Sequence, residues 1–96
     1  MKILKKGIAP DGTHIQIEDW SEDYTCYSYG THLVAYPRKY MRVRAEIQFE
    51  DHNQALAAFD ELENGRATVL DMDFTVMKSA NRVPLKPILE NVMRKY

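Results

Sequence analysis

The chain has 96 residues, 45% of them hydrophobic and 28% charged, with a formal net charge of −1. That length supports one domain over residues 1–96 with one modest core, and the composition excludes wholesale disorder. The near-neutral balance excludes a global attraction to nucleic acid or to an anionic membrane.

Cys26 is the single cysteine, so no internal disulfide can form and a reducing, cytoplasmic compartment is expected. The start, Met1-Lys2-Ile3-Leu4-Lys5-Lys6, is basic but lacks the apolar stretch of a signal peptide. No apolar run approaches the roughly 18 residues of a membrane span, so no membrane partner is expected.

Lys2 to Ile8 reads as an edge strand. Ala9-Pro10-Asp11-Gly12-Thr13 is a turn: proline presets φ, aspartate bonds its own backbone and glycine accepts positive φ. From Thr13 to Asp19 the pattern alternates, Ile15 and Ile17 against His14, Gln16 and Glu18, which completes a hairpin. Trp20 to Gly30 has neither period and reads as a long loop, the kind of segment that often carries function. His32 to Tyr36 is a short strand ending at Pro37.

Met41 to Glu50 alternates over its whole length. Met41, Val43, Ala45, Ile47 and Phe49 face one way, Arg42, Arg44, Glu46, Gln48 and Glu50 the other. Asp51 caps a helix, with Gln54 as its capping-box partner. Ala55, Leu56, Ala58, Phe59 and Leu62 form the apolar stripe, and Asn64-Gly65 is the stop.

Ala67 to Met77 reads as a strand with Leu70, Met72, Phe74 and Val76 inward and Asp71, Asp73 and Thr75 outward. Leu85, Ile88, Leu89, Val92 and Tyr96 then recur at helical spacing, with Pro84 and Pro87 near the start. The expected fold is a small α+β domain of order ββββαβα: a mostly antiparallel four- to five-stranded sheet with two helices on one face. A βαβ crossover between the Met41 and Ala67 strands would allow one parallel pair. An exposed edge at Lys2 to Ile8 could support a dimer, although nothing in the sequence demands one.

No motif for catalysis, metal or cofactor accompanies this scaffold. His14, His32 and His52 share no short spacing with one another or with Cys26. A thiol site built from Cys26, a histidine and Asp23 would depend on geometry that sequence does not contain. Asp71 and Asp73 read as outward charges opposite Arg42 or Arg44. No glycine-rich phosphate loop and no nucleophile elbow occurs, so no enzyme and no cofactor is expected.

Charge distribution says more. Glu46 to Asp73 holds eight acids against Arg66 alone. Glu18, Asp19, Glu22 and Asp23 surround Trp20 and end at Tyr24. Asp60, Glu61 and Glu63 crowd the C-terminal half of their helix, where the macrodipole disfavours anions. Unrewarded departures from a local rule point to function. Glu18, Asp19, Trp20, Glu22, Asp23 and Tyr24 are therefore the expected partner contact, with Asp60, Glu61 and Glu63 as secondary contacts. Such a surface suits a basic groove in a nucleic-acid-handling protein. The alternative is a single-stranded nucleic-acid site built from Tyr36, Arg38, Lys39, Tyr40, Arg42 and Arg44, where cations pair with phosphate and rings stack on bases.

The segment Gly7-Ile8-Ala9-Pro10-Asp11-Gly12-Thr13-His14-Ile15-Gln16-Ile17-Glu18-Asp19-Trp20, with Ala35-Tyr36-Pro37, resembles small orphan proteins of phages and conjugative elements of Gram-positive bacteria, a group that includes anti-CRISPR proteins. The resemblance implies a small non-catalytic inhibitor encoded by a mobile genetic element and acting by binding an RNA-guided nuclease or another nucleic-acid enzyme.

Overall fold

The computed structural model describes residues 1–22, 30–38 and 43–93. Four strands come first: β1 (Lys2–Ile8), β2 (His14–Asp19), β3 (Thr31–Tyr36) and β4 (Ala45–Phe49). Helix α1 (His52–Glu63), a short 3-10 turn (Val69–Asp71), β5 (Thr75–Lys78), β6 (Asn81–Pro84) and α2 (Leu85–Met93) complete the chain. The six strands form one sheet in chain order, β1-β2-β3-β4-β5-β6, and every neighbouring pair is antiparallel.

Local chemistry accounts for the well-formed elements. In the β1–β2 turn Gly12 takes φ 87°, and the Asp11 carboxylate accepts the Thr13 N–H at 3.0 Å. Asp51 is the N-cap of α1: its backbone is extended, and its carboxylate accepts the Asn53 N–H at 2.8 Å. Gln54 donates its own N–H to the Asp51 carbonyl at 3.1 Å. The helix stops where Asn64 caps it and Gly65 turns into the left-handed region at φ 73°.

One core joins these elements. Ile15 and Ile17 of β2, Leu33 and Ala35 of β3 and Ala45 of β4 meet Ala55, Phe59 and Leu62 of α1. Leu85 and Leu89 of α2 close the same cluster beside Phe74 and Val76. Fully burying one large apolar side chain such as Phe59 or Leu33 contributes about 1.5–3 kcal/mol.

The second half of the chain departs from the pattern reading in three places. The parallel pair is not formed, because Ala45 lies opposite Val76 and Glu46 opposite Thr75 in an antiparallel ladder. The segment read as one strand from Ala67 begins instead with the 3-10 turn. There the Thr68 hydroxyl accepts the Leu70 N–H at 3.3 Å, and the Asp71 carboxylate accepts the Thr68 N–H at 2.8 Å. Asp71 is thus a capping residue and not a strand-face charge. Leu70 and Met72 still pack inward on the core despite leaving the sheet.

The third departure is β6, a strand the pattern did not reveal. Its hairpin turns through Ser79 at φ 58°, without the glycine or asparagine-glycine pair that marks such turns. At the other end, β4 begins at Ala45 and not at Met41. Val43 and Arg44 precede the strand, while 41 and 42 lie outside the described residues.

Candidate partner-binding site

Strand alternation sends Gln16, Glu18, His32, Val34 and Glu46 to the sheet face away from α1. Alternation read this as the polar side of β2 and β4, yet Glu18, His32 and Val34 are almost fully buried. Arg44 lies across it. Its guanidinium donates to both Glu18 oxygens at 2.8 and 2.6 Å, and its Nε donates to Glu46 at 2.7 Å. The same group reaches the Tyr36 hydroxyl at 3.2 Å.

Trp20 Nε1 donates to Glu18 at 2.9 Å, Gln16 donates to its other oxygen, and Arg82 donates to Glu46 at 2.8 Å. Burial pushes the Glu18 carboxyl up, but hydrogen bonds from Arg44, Gln16 and Trp20 outweigh it and hold the pKa below the ordinary value. Glu46 is drawn down to about 2, first by the adjacent His32, then by Arg82 and Arg44 against an opposing burial effect. Glu18 and Glu46 in turn hold the Arg44 guanidinium more firmly protonated.

Glu18 therefore leaves the expected contact surface. A carboxylate this deep requires a cation, and Arg44 supplies it in a two-pronged geometry. The same bonds remove Arg44 and the Tyr36 hydroxyl from the alternative nucleic-acid site, where Arg38 stays exposed. Lys39, Tyr40 and Arg42 of that site, and Asp23 and Tyr24 of the acidic loop, lie outside the described residues.

Of the remaining acids, Asp19 is half-buried and its carboxylate accepts the Ser21 N–H at 2.9 Å, which lowers its pKa. Glu22 is exposed. On α1, Asp60 and Glu61 both pair with Arg66, Glu61 at 3.1 Å, and Asn64 donates to Asp60 at 2.8 Å. The anions at the end of α1 are thus compensated locally, which removes the reason for reading them as unrewarded. Glu63 points elsewhere, toward Gly7 of β1.

Two clefts flank this network. One, of about 800 Å³, has Trp20, Val43, Val76, Met77 and Ile88 as its apolar wall and Arg44, Glu46 and Arg82 as its polar one. The other, of about 820 Å³, runs beside β1 and is lined by Lys6, Ile8, His14, Gln16, Tyr36 and Arg38. Pattern reading singled out neither Lys6 nor His14, because they share no segment with Arg38 and meet it only through the β1–β2–β3 register.

His32 is buried with neither ring nitrogen hydrogen-bonded. Its Nδ1 stands 3.7 Å from Glu46, beyond hydrogen-bond range, and its ring lies 5.7 Å from that of Trp20. Among the described residues no group of three or more His, Cys, Asp or Glu converges as a metal site, and no helix is long and apolar enough to cross a membrane. Comparison of the chain with family models, curated proteins and solved structures finds no match.

Proposed function

We propose that this chain is a non-enzymatic protein-binding module that presents Trp20 and the Asp19–Glu22 turn to a partner protein. The observation that carries the reading is the setting of Trp20. Its ring is half-buried on the wall of an open apolar cleft, and its N–H is anchored on Glu18. An aromatic side chain held in one orientation beside a cleft is the arrangement of an interface anchor. Asp19 and Glu22, its neighbours in the chain, add negative charge to the same turn.

In this reading the partner is a nucleic-acid-handling enzyme in the cytoplasm, and RNA-guided nucleases are the first to try. That choice follows the resemblance read in the segment Gly7 to Trp20. Carboxylates of this turn would pair with arginines that otherwise hold phosphate. The test is the affinity of the purified chain for a nuclease–guide complex. Wild type is expected to bind, Glu22→Lys to weaken binding in a salt-dependent way, and Trp20→Ala to weaken it by roughly thirtyfold. Wild type that does not bind removes the nuclease, and Trp20→Ala with unchanged affinity removes the cleft.

A further inference from the structure

Among the described residues, four of the five large apolar side chains left in solvent are on or next to one strand. Ile3, Leu4 and Ile8 of β1 are 42%, 40% and 57% exposed. Among the described residues β1 pairs with β2 alone, so its outer edge presents a row of backbone donors and acceptors. The opposite edge of the sheet is much less inviting: β6 has four residues and ends in Pro84, whereas β1 has seven. A register shift between Ile3 and Lys5 breaks the β1 ladder once and leaves Lys5 to Ile8 regular.

Charge selects what could lie there. β1 carries Lys2, Lys5 and Lys6 and no acid. Lys5 reaches over the Phe59 ring at 4.7 Å, toward α1. Lys6 turns to the other face, where it lines the cleft of about 820 Å³ together with His14, Tyr36 and Arg38. No acidic side chain lines that cleft among the described residues.

We propose that the outer edge of β1 takes up an extended acidic segment of a partner protein as a seventh strand, whose carboxylates enter the cleft beside Lys6, His14 and Arg38. Main-chain bonds to the edge give such a complex affinity, and alternate side chains give it specificity. Backbone pairing along this edge would draw the flanks of Ile3, Leu4 and Ile8 out of solvent. A second copy of this chain is a poorer occupant, because it would set one lysine-rich strand against another. A nucleic-acid strand would satisfy Lys6 and Arg38 but leave the backbone edge and Ile3 and Leu4 bare. This surface shares no residue with the Trp20 cleft, so the proposal goes beyond that reading and can fail without it.

The probe is a fluorescent peptide of alternating valine and glutamate, about ten residues long to span β1. Its binding to the full chain is followed by anisotropy, alongside a valine–lysine peptide and a thymidine oligonucleotide. The acidic peptide is expected to bind and the lysine peptide not to. N-methylation of every second peptide amide, which blocks strand pairing without altering the protein, should weaken binding at least about tenfold. Lys6→Glu with Arg38→Glu should weaken it comparably, with the far-ultraviolet circular dichroism of the fold retained.

No binding of the acidic peptide overturns the proposal. So does binding indifferent to N-methylation or to peptide charge. Tighter binding of the oligonucleotide would give the cleft to nucleic acid, and a dimer in solution strengthened by Lys6→Glu, as relief of lysine–lysine repulsion across paired edges requires, would give the edge to a second copy; either overturns it.

Discussion

Arg44 occupies one position with several tasks, and its loss would be felt through the residue it leaves behind. Its guanidinium is partly exposed, but the Glu18 side chain it covers is fully buried. Removing one partner of a buried pair strands the other charge, which costs more than the pair itself contributes. Arg44→Ala is therefore expected to destabilise the chain by about 3 kcal/mol in urea unfolding. Adding Glu18→Gln should recover a large part of that loss, since a neutral amide is far less costly to bury. A double variant no more stable than Arg44→Ala would mean that Arg44 acts through packing alone. Alternation had placed Glu18 on the correct face. It did not reveal that this face is covered, although the nearly unbroken run Leu33-Val34-Ala35 is the pattern of a strand buried on both sides.

Between elements, α1 approaches β1 closely at Gly7. A Cβ added at Gly7 would stand 2.8 Å from the tip of the buried Phe59 ring and closer still to the Glu63 carboxylate. Glu63 can swing away at little cost, but Phe59 is locked in the core. Gly7→Ala is accordingly expected to cost about 1–3 kcal/mol by overpacking, measurable as a lower thermal midpoint. A variant as stable as wild type would show that α1 shifts freely on the sheet. Helix α1 was readable because Asp51, the apolar stripe and Asn64-Gly65 all favour one outcome. The 3-10 turn and β6 were not. Thr68 and Asp71 form a local capping box inside an alternating run, and it prevails over the period of two.

For the whole molecule, the charge network links stability to pH. Glu18 and Glu46 both have folded pKa values below their ordinary ones, Glu46 about 2 against 4.5. Such a group binds fewer protons folded than unfolded, so its contribution is complete above the unfolded value and is lost as pH falls through the folded one. Stability should thus be flat above about pH 5 and decline between 4.5 and 2. Urea midpoints across that range test this, and midpoints unchanged down to pH 3 would show that the network does not distinguish folded from unfolded carboxylates.

What the sequence determined by itself were the local decisions: the first hairpin, the capped helix, which residues share each face of β2 and β4, and the terminal helix. Each follows from turn chemistry, caps or a period confined to neighbouring residues. Tertiary structure alone decided which charges remain available. Glu18 meets Arg44 across 26 positions of chain, and Lys6, His14 and Arg38 meet through the register of three strands. Pairing energies of that kind depend on distance in space, which composition and spacing do not encode.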